Sequence, residues 1–192
     1  MAMLLMSALF PLPACAQGGS NTGNNGQHRE VPNLDVIMVI DESETMWNHT
    51  DTEGVRVNTV NFFIDMLSSE RSGSVHRLGI VAFGTEPTVI PYTLLGSQAA
   101  AEELKEQYAA VHKSIEPHKD EEYTDINKAL RAALAMIERE RNPTRKPAII
   151  LVSDGQPTNP QVSEKKGRDT VVAYLDETRS LLEQLGDYQY MD

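Results

Sequence analysis

The chain has 192 residues, of which 40% are hydrophobic, with one cysteine and a formal net charge of −11. That length and apolar content suffice for one domain with a sizeable core plus tails. The acidity argues against nucleic acid, since a phosphate backbone would be repelled and no basic run with interleaved aromatics occurs; a lone cysteine excludes an intrachain disulfide.

Residues 2–14 form an apolar stretch too short to span a membrane as a helix and similar to the h-region of a secretory signal. Ala14-Cys15-Ala16 fits a small-residue cleavage site before Gln17, and Leu12-Pro13-Ala14-Cys15 resembles a bacterial lipobox in which Cys15 carries the lipid. No Lys or Arg precedes Arg29, so the basic n-region of such signals is absent. Residues 1–16 are therefore expected to be a signal peptide or lipoprotein signal. Residues 17–31, rich in Gly, Asn, Gln and Ser, are expected to be a flexible linker. The expectation is an exported protein, extracellular or at the cell surface, with no transmembrane helix and Cys15 as the candidate lipid anchor.

The domain is expected over residues 32–192. Leu34 to Ile40 is a nearly continuous, β-branched-rich run interrupted by Asp35 and ending at Asp41, a pattern suited to a strand buried on both faces. Residues 53–69 place Val57, Val60, Phe63, Ile64 and Leu67 on one helical face. Leu78–Phe83 predicts a second strand, and Thr88–Ile90 returns after a short turn as an antiparallel edge strand flanked by Pro87 and Pro91. Residues 97–113 predict an Ala- and Glu-rich helix. Residues 125–140 predict a helix with Ile126, Ala129, Leu130, Ala133, Leu134 and Ile137 on its apolar face, capped by Thr124 or Asp125. Ala148–Val152 predicts another buried strand. Residues 168–185 predict a last helix with Val171, Tyr174, Leu175, Leu182 and Leu185 inward, ending near Gly186. Strands alternating with helices imply an α/β fold with a doubly wound, mostly parallel sheet, one antiparallel edge strand and helices on both faces. An open sheet of this kind is expected to continue into further strands, so the fold is expected to be incomplete at its C-terminus.

In such folds ligands bind outside the carboxyl ends of the strands. Asp41 and Asp154 both fall at such ends, and Thr124 opens a helix nearby in the topology. Asp41, Ser43 and Thr45 sit at i, i+2 and i+4, which in an extended or turning segment can point the same way. Hydroxyls and carboxylates without His or Cys suit a hard divalent cation that keeps some of its waters, not zinc. The plain alternative is a capped strand-to-helix loop, because Asp, Ser and Thr are ordinary turn and cap residues.

Val39-Ile40-Asp41-Glu42-Ser43-Glu44-Thr45-Met46, then Thr124-Asp125-Ile126, then Val152-Ser153-Asp154-Gly155, resemble in order and spacing the three elements of a von Willebrand factor type A (vWA) domain with a metal-ion-dependent adhesion site, MIDAS. The resemblance covers roughly residues 33–186. It implies a Rossmann-like vWA fold. It implies Mg²⁺, with Mn²⁺ or Ca²⁺ as alternatives, held by Asp41, Ser43, Thr45, Thr124 and Asp154: Ser43 and Thr45 directly, the two aspartates mainly through water, Thr124 directly or indirectly with conformation. It implies a protein or peptide partner whose carboxylate completes the coordination. Thr45 stands where the family usually has Ser, Glu44 where Gly is frequent, and residues 118–123 lack the glycines common there.

Glu44, Trp47, His49 and Tyr123 are the candidates for the ligand face, Trp47 having packing beneath its own loop as the alternative. Glu42, Glu44, Asp120, Glu121, Glu122 and Asp125 would form an acidic rim, either a solvated surface or a field that concentrates cations. A haloacid-dehalogenase-like phosphatase would need a second aspartate where Ser43 stands, so an enzyme is not expected. The function expected is cation-dependent, adhesion-type binding; the rival is a scaffold module of a larger assembly whose metal is structural.

Overall fold

The computed structural model describes residues 7–8, 32–69, 74–116, 123–155 and 167–190. Its strands are β1 (Ser7–Ala8), β2 (Leu34–Asp41), β3 (Arg77–Phe83), β4 (Pro87–Leu94) and β5 (Lys146–Val152), and its α-helices are α1 (Val55–Ser68), α2 (Gln98–Ile115), α3 (Ile126–Glu140) and α4 (Gly167–Tyr190). A five-residue π-helical turn, Met46–Thr50, lies between β2 and α1. The sheet order is β1-β5-β2-β3-β4. The three middle strands are parallel, with Ile37 opposite both Gly79 and Ile149. β4 runs antiparallel to β3 at one edge, as expected from the short Gly84–Glu86 turn, and β1 adds two antiparallel residues to β5 at the other.

The alternation of side chains along the strands divides the core in two. Val36, Met38 and Ile40 of β2, with Leu78, Ile80 and Ala82 of β3, face a cluster completed by α1 and α2. Ile37 and Val39, with Val81 and Phe83, face a second cluster completed by α3 and α4. β2 is thus buried on both faces, which is why it reads as a continuous apolar run and not as an alternating one. Helices cover both sides, as the doubly wound pattern predicts. Gly79 lets α3 pack close to β3: a Cβ there would lie 2.7 Å from the Met136 sulfur, and that side chain would have to shift.

The helix ends follow local chemistry. The Ser97 hydroxyl accepts a hydrogen bond from Ala100 N at the start of α2, and the Asp125 carboxylate accepts one from Lys128 N at the start of α3. Asp125, not Thr124, is the cap. α3 stops before Asn142-Pro143.

Two expectations for α4 need correction. α4 continues to Tyr190 through Gly186, whose cost in a helix interior, ~1 kcal/mol, does not end it. Its buried positions are Tyr174, Leu181 and Leu185, whereas Leu175 and Leu182 are exposed, so its inward face is rotated from the one predicted. On α1, Phe62 and Met66 are exposed, Phe62 by 62%. No helix among the described residues is long and apolar enough to cross a membrane. Apart from Ser7–Ala8, the expected signal and linker lie outside the described residues.

Candidate metal centre

Asp41 is the last residue of β2 and is fully buried. Its Oδ1 accepts a hydrogen bond from Ser43 N at 2.9 Å, which turns the chain out of the strand. Its Oδ2 accepts one from Ser153 Oγ at 2.6 Å, which ties β2 to the segment that follows β5. Burial pushes its carboxyl up to about 6 despite those hydrogen bonds, and the charge of Asp154 adds to the rise. No Lys, Arg or His among the described residues makes an ion pair with it. A carboxylate kept largely charged at neutral pH in such a place has a desolvation cost that no cation among the described residues offsets.

Ser43 is buried and Thr45 half-buried, and their hydroxyls are hydrogen-bonded to each other with the oxygens 3.1 Å apart. Oxygens on adjacent corners of an octahedron with bonds of about 2.1 Å lie about 3 Å apart, so this pair has the separation of two neighbouring Mg²⁺ ligands. Asp154 is half-buried, and its Oδ2 accepts a hydrogen bond from Thr50 Oγ1 at 3.1 Å. Gly155 takes a positive φ of 79°, and its amide donates to Ser153 Oγ at 3.0 Å. That turn leaves Ser153 aimed at Asp41 and Asp154 beside it. Thr124 is buried just before α3. The next residue, Asp125, donates its amide to Gly84 O, directly after β3, whose last residue is opposite Asp41 in the sheet. The ends of β2, β3 and β5 therefore bring all three sequence elements to one edge.

The donor set fits a hard divalent ion: two carboxylates in electrostatic contact, two hydroxyls at ligand spacing and a third hydroxyl buried at the same edge. No group of three or more His, Cys, Asp or Glu poised for a metal occurs among the described residues, so a fully charged cage is not what this edge offers.

Of the ligand-face candidates, Glu44, His49 and Tyr123 are exposed. Trp47 is half-buried; its ring stacks on His112 at 4.3 Å, with the Arg56 guanidinium 4.5 Å over it. It packs beneath its own loop. The acidic rim loses two members to the interior. Glu42 is fully buried, bonded to Arg56 Nε at 3.0 Å and to the Tyr108 hydroxyl at 2.7 Å. Asp125 is buried between the N-terminus of α3 and the Tyr174 hydroxyl. Residues 120–122 lie outside the described residues. Sequence reading missed Ser153, Thr50 and the Glu42 partners Arg56, Tyr108 and His112. Ser153 adjoins Asp154 in the third motif and is the one with a local signal. Arg56, Tyr108 and His112 come from helices and carry none.

The family model of the von Willebrand factor type A domain matches residues 36–156, more than half of the chain, and the chain belongs to that family. None of the curated proteins matches it. Among solved structures it is similar to the pilus adhesin SpaC from Lactobacillus rhamnosus GG, at 20% identity and a TM-score of 0.50, covering 67% of this chain and 16% of that one. It is also similar to the vWF domain of the type V pili tip protein Mfa5 from Porphyromonas gingivalis, at 16% identity and a TM-score of 0.43, over 62% of this chain and 36% of that one. A third is proximal thread matrix protein 1 from the mussel byssus, in a structure with a zinc-occupied MIDAS motif, at 18% identity and a TM-score of 0.48, over 80% and 41%. The chain thus spans well under half the length of these proteins.

Proposed function

We propose that this domain binds a divalent cation, foremost Mg²⁺, at a MIDAS formed by Asp41, Ser43, Thr45, Thr124 and Asp154, and uses it to hold a carboxylate of a protein or peptide partner. The observation that carries the reading is Asp41: a buried carboxylate with no ion-pair partner among the described residues, set beside two hydroxyls 3.1 Å apart. Ser43 and Thr45 present neutral oxygens. Asp41 and Asp154 supply the negative charge. Thr124 adds a hydroxyl from the third element. The cation, when bound, supplies a Lewis-acid position with room for one more oxygen ligand. Exposed Glu44 and His49 flank the loop on which a partner would land. The work is binding without turnover.

The likeness to SpaC is one of fold; the residues of the site carry the step to adhesion-type binding. A segment of export-signal character ahead of a Gly- and Asn-rich tether suits display at the cell surface, with Cys15 as the candidate anchor.

Calorimetric titration of Mg²⁺ or Mn²⁺ into wild type and Asp41→Ala tests the metal. Heat of binding in wild type and none in the variant is expected; no heat in either overturns the assignment. Partner capture in Mg²⁺ against EDTA tests the use of the metal, and capture that persists in EDTA would favour the scaffold reading.

A further inference from the structure

Behind the candidate site lies a second cluster of charged side chains that the metal chemistry does not use. Glu42, the residue after Asp41, and Arg56, on the first turn of α1, are both buried. Arg56 Nε donates to Glu42 Oε2 at 3.0 Å, and Nη1 donates to Asp51 Oδ2 at 2.7 Å and to Asp51 O at 3.1 Å. The same Asp51 carboxylate accepts from the amides of Val55 and Arg56, so it also holds the start of α1. One guanidinium therefore closes the loop at its first residue and near its last, and it lies over the ring of Trp47 in between. Ser43 and Thr45 are carried on the arc so closed.

The cluster reaches a second helix. Tyr108 of α2 donates its hydroxyl to Glu42 Oε1 at 2.7 Å, and His112 Nδ1 stands 2.9 Å from Glu42 Oε2 while its ring stacks on Trp47. A carboxylate oxygen only accepts, so Nδ1 of His112 carries a proton. Burial works against the Arg56 charge, and the carboxylates of Glu42 and Asp51 outweigh it. Burying an ion pair with this many partners is a poor way to gain stability, since an apolar pair of similar volume often does as well or better. What the cluster does provide is one fixed shape for the loop.

We propose that Glu42 and Arg56 are positioning residues for the metal loop: their ion pair, extended to Asp51, Trp47 and His112, holds the Ser43 and Thr45 hydroxyls at ligand spacing and couples that spacing to α2. The inference rests on the MIDAS reading for its effect on metal. Its effect on the loop is independent of it.

The test uses the full chain, with three readouts. Arg56→Ala leaves Glu42 buried without its cation and can fail to fold. The informative variant is therefore Glu42→Leu/Arg56→Met, which removes both charges and keeps volume, with Arg56→Lys as the conservative control. In metal-free protein, amide hydrogen exchange at Ser43 and Trp47 is expected to rise in the double variant while the β2 amides stay protected. Emission of Trp47, the only tryptophan in the chain, is expected to shift as its stacking on His112 loosens. Mg²⁺ affinity by calorimetry is expected to fall about 10- to 100-fold, as for other residues that orient metal ligands, with the protected β2 amides showing an intact sheet and part of the affinity regained in Arg56→Lys. A double variant with wild-type loop exchange and emission overturns the proposal. So does one that loosens the loop yet binds Mg²⁺ as wild type does. If wild type itself shows no Mg²⁺ binding, the MIDAS reading fails, and loop exchange and emission alone decide whether the pair positions the loop.

Discussion

Asp35 and Asp41 stand at opposite ends of the same strand, and both are buried, at 5% and 0% exposure. At the amino end, Asp35 is chelated by two guanidiniums, those of Arg77 and Arg145, and Arg77 also lies 4.7 Å over the Tyr92 ring. At the carboxyl end, Asp41 has a serine hydroxyl and a serine amide, and no cation among the described residues. Its neighbour Glu42, one residue on, has Arg56. Three acids on one strand and its exit are thus buried, and two of them carry their counter-charge within the chain. The difference teaches where the fold is complete in itself and where it leaves a charge for something else to meet. A structural carboxylate is neutralised by the protein; a carboxylate left uncompensated at a ligand-binding edge is a functional candidate with a physical reason behind it.

Removing each acid should separate the two ends, with opposite signs. Asp35→Ala strands two arginines near the base of the sheet, and breaking such a buried pair costs about 3–5 kcal/mol. Urea unfolding should show that loss directly, and a cost under ~1 kcal/mol would end the contrast. Asp41→Asn, in metal-free protein at pH 7, should do the reverse. It removes a charge that burial disfavours, keeps an oxygen to accept from Ser43 N, and should stabilise the fold by about 1–3 kcal/mol. In Mg²⁺ the order should invert, because wild type gains from binding and the variant does not.

The pH dependence tests the same point without mutation. The Asp41 carboxyl goes from 3.8 in its ordinary setting to about 6 here. Between about pH 4 and 6 the folded chain therefore binds a proton that the unfolded chain has lost. The stability this group contributes is fully present below about pH 4 and is lost as pH rises through about 6, a change of up to ~3 kcal/mol. Asp41→Asn should flatten that part of the metal-free stability curve. Mg²⁺ must displace the same proton, so its affinity should fall by up to about tenfold per unit below pH 6 and level off above it. An affinity flat from pH 4.5 to 7.5 would remove Asp41 from the ligand set.

The contrast also shows what a sequence can carry. The fold was legible because the strands are short apolar runs and the helices have one-sided apolar faces, both local patterns. Two of the three candidate elements stood out because they sit at strand ends, where the α/β topology sends ligands, and Thr124 because it stands just before an amphipathic helix. No local sign marked Asp35 and Glu42 as ion-paired and Asp41 as not; Asp35 lies within the apolar run of β2, and Asp41 and Glu42 follow its end. Their partners lie 14 to 110 residues away: Arg56 for Glu42, Arg77 and Arg145 for Asp35. Pairing over such distances is settled by register and helix placement, which no window of sequence contains. The acidic rim and the inward face of α4 were misread for the same reason, since local composition does not say which acid or leucine another element covers.

Thr45→Ser is expected to have the smallest effect, and it sharpens the comparison at the site itself. The residue is half-buried, its hydroxyl is 3.1 Å from that of Ser43, and it stands where the family usually has serine. Serine keeps the oxygen and removes one methyl group. The change in Mg²⁺ affinity should stay below about 1 kcal/mol, the scale of a small, shape-preserving change in a packed site. Thr45→Val has the converse design: the shape stays and the oxygen goes, so affinity should fall by much more, with the melting temperature nearly unchanged. If Thr45→Val binds Mg²⁺ as wild type does, the hydroxyl at this position is not a ligand. The centre would then rest on Ser43, Thr124 and the two aspartates, with the Glu42–Arg56 pair holding one hydroxyl in place instead of two.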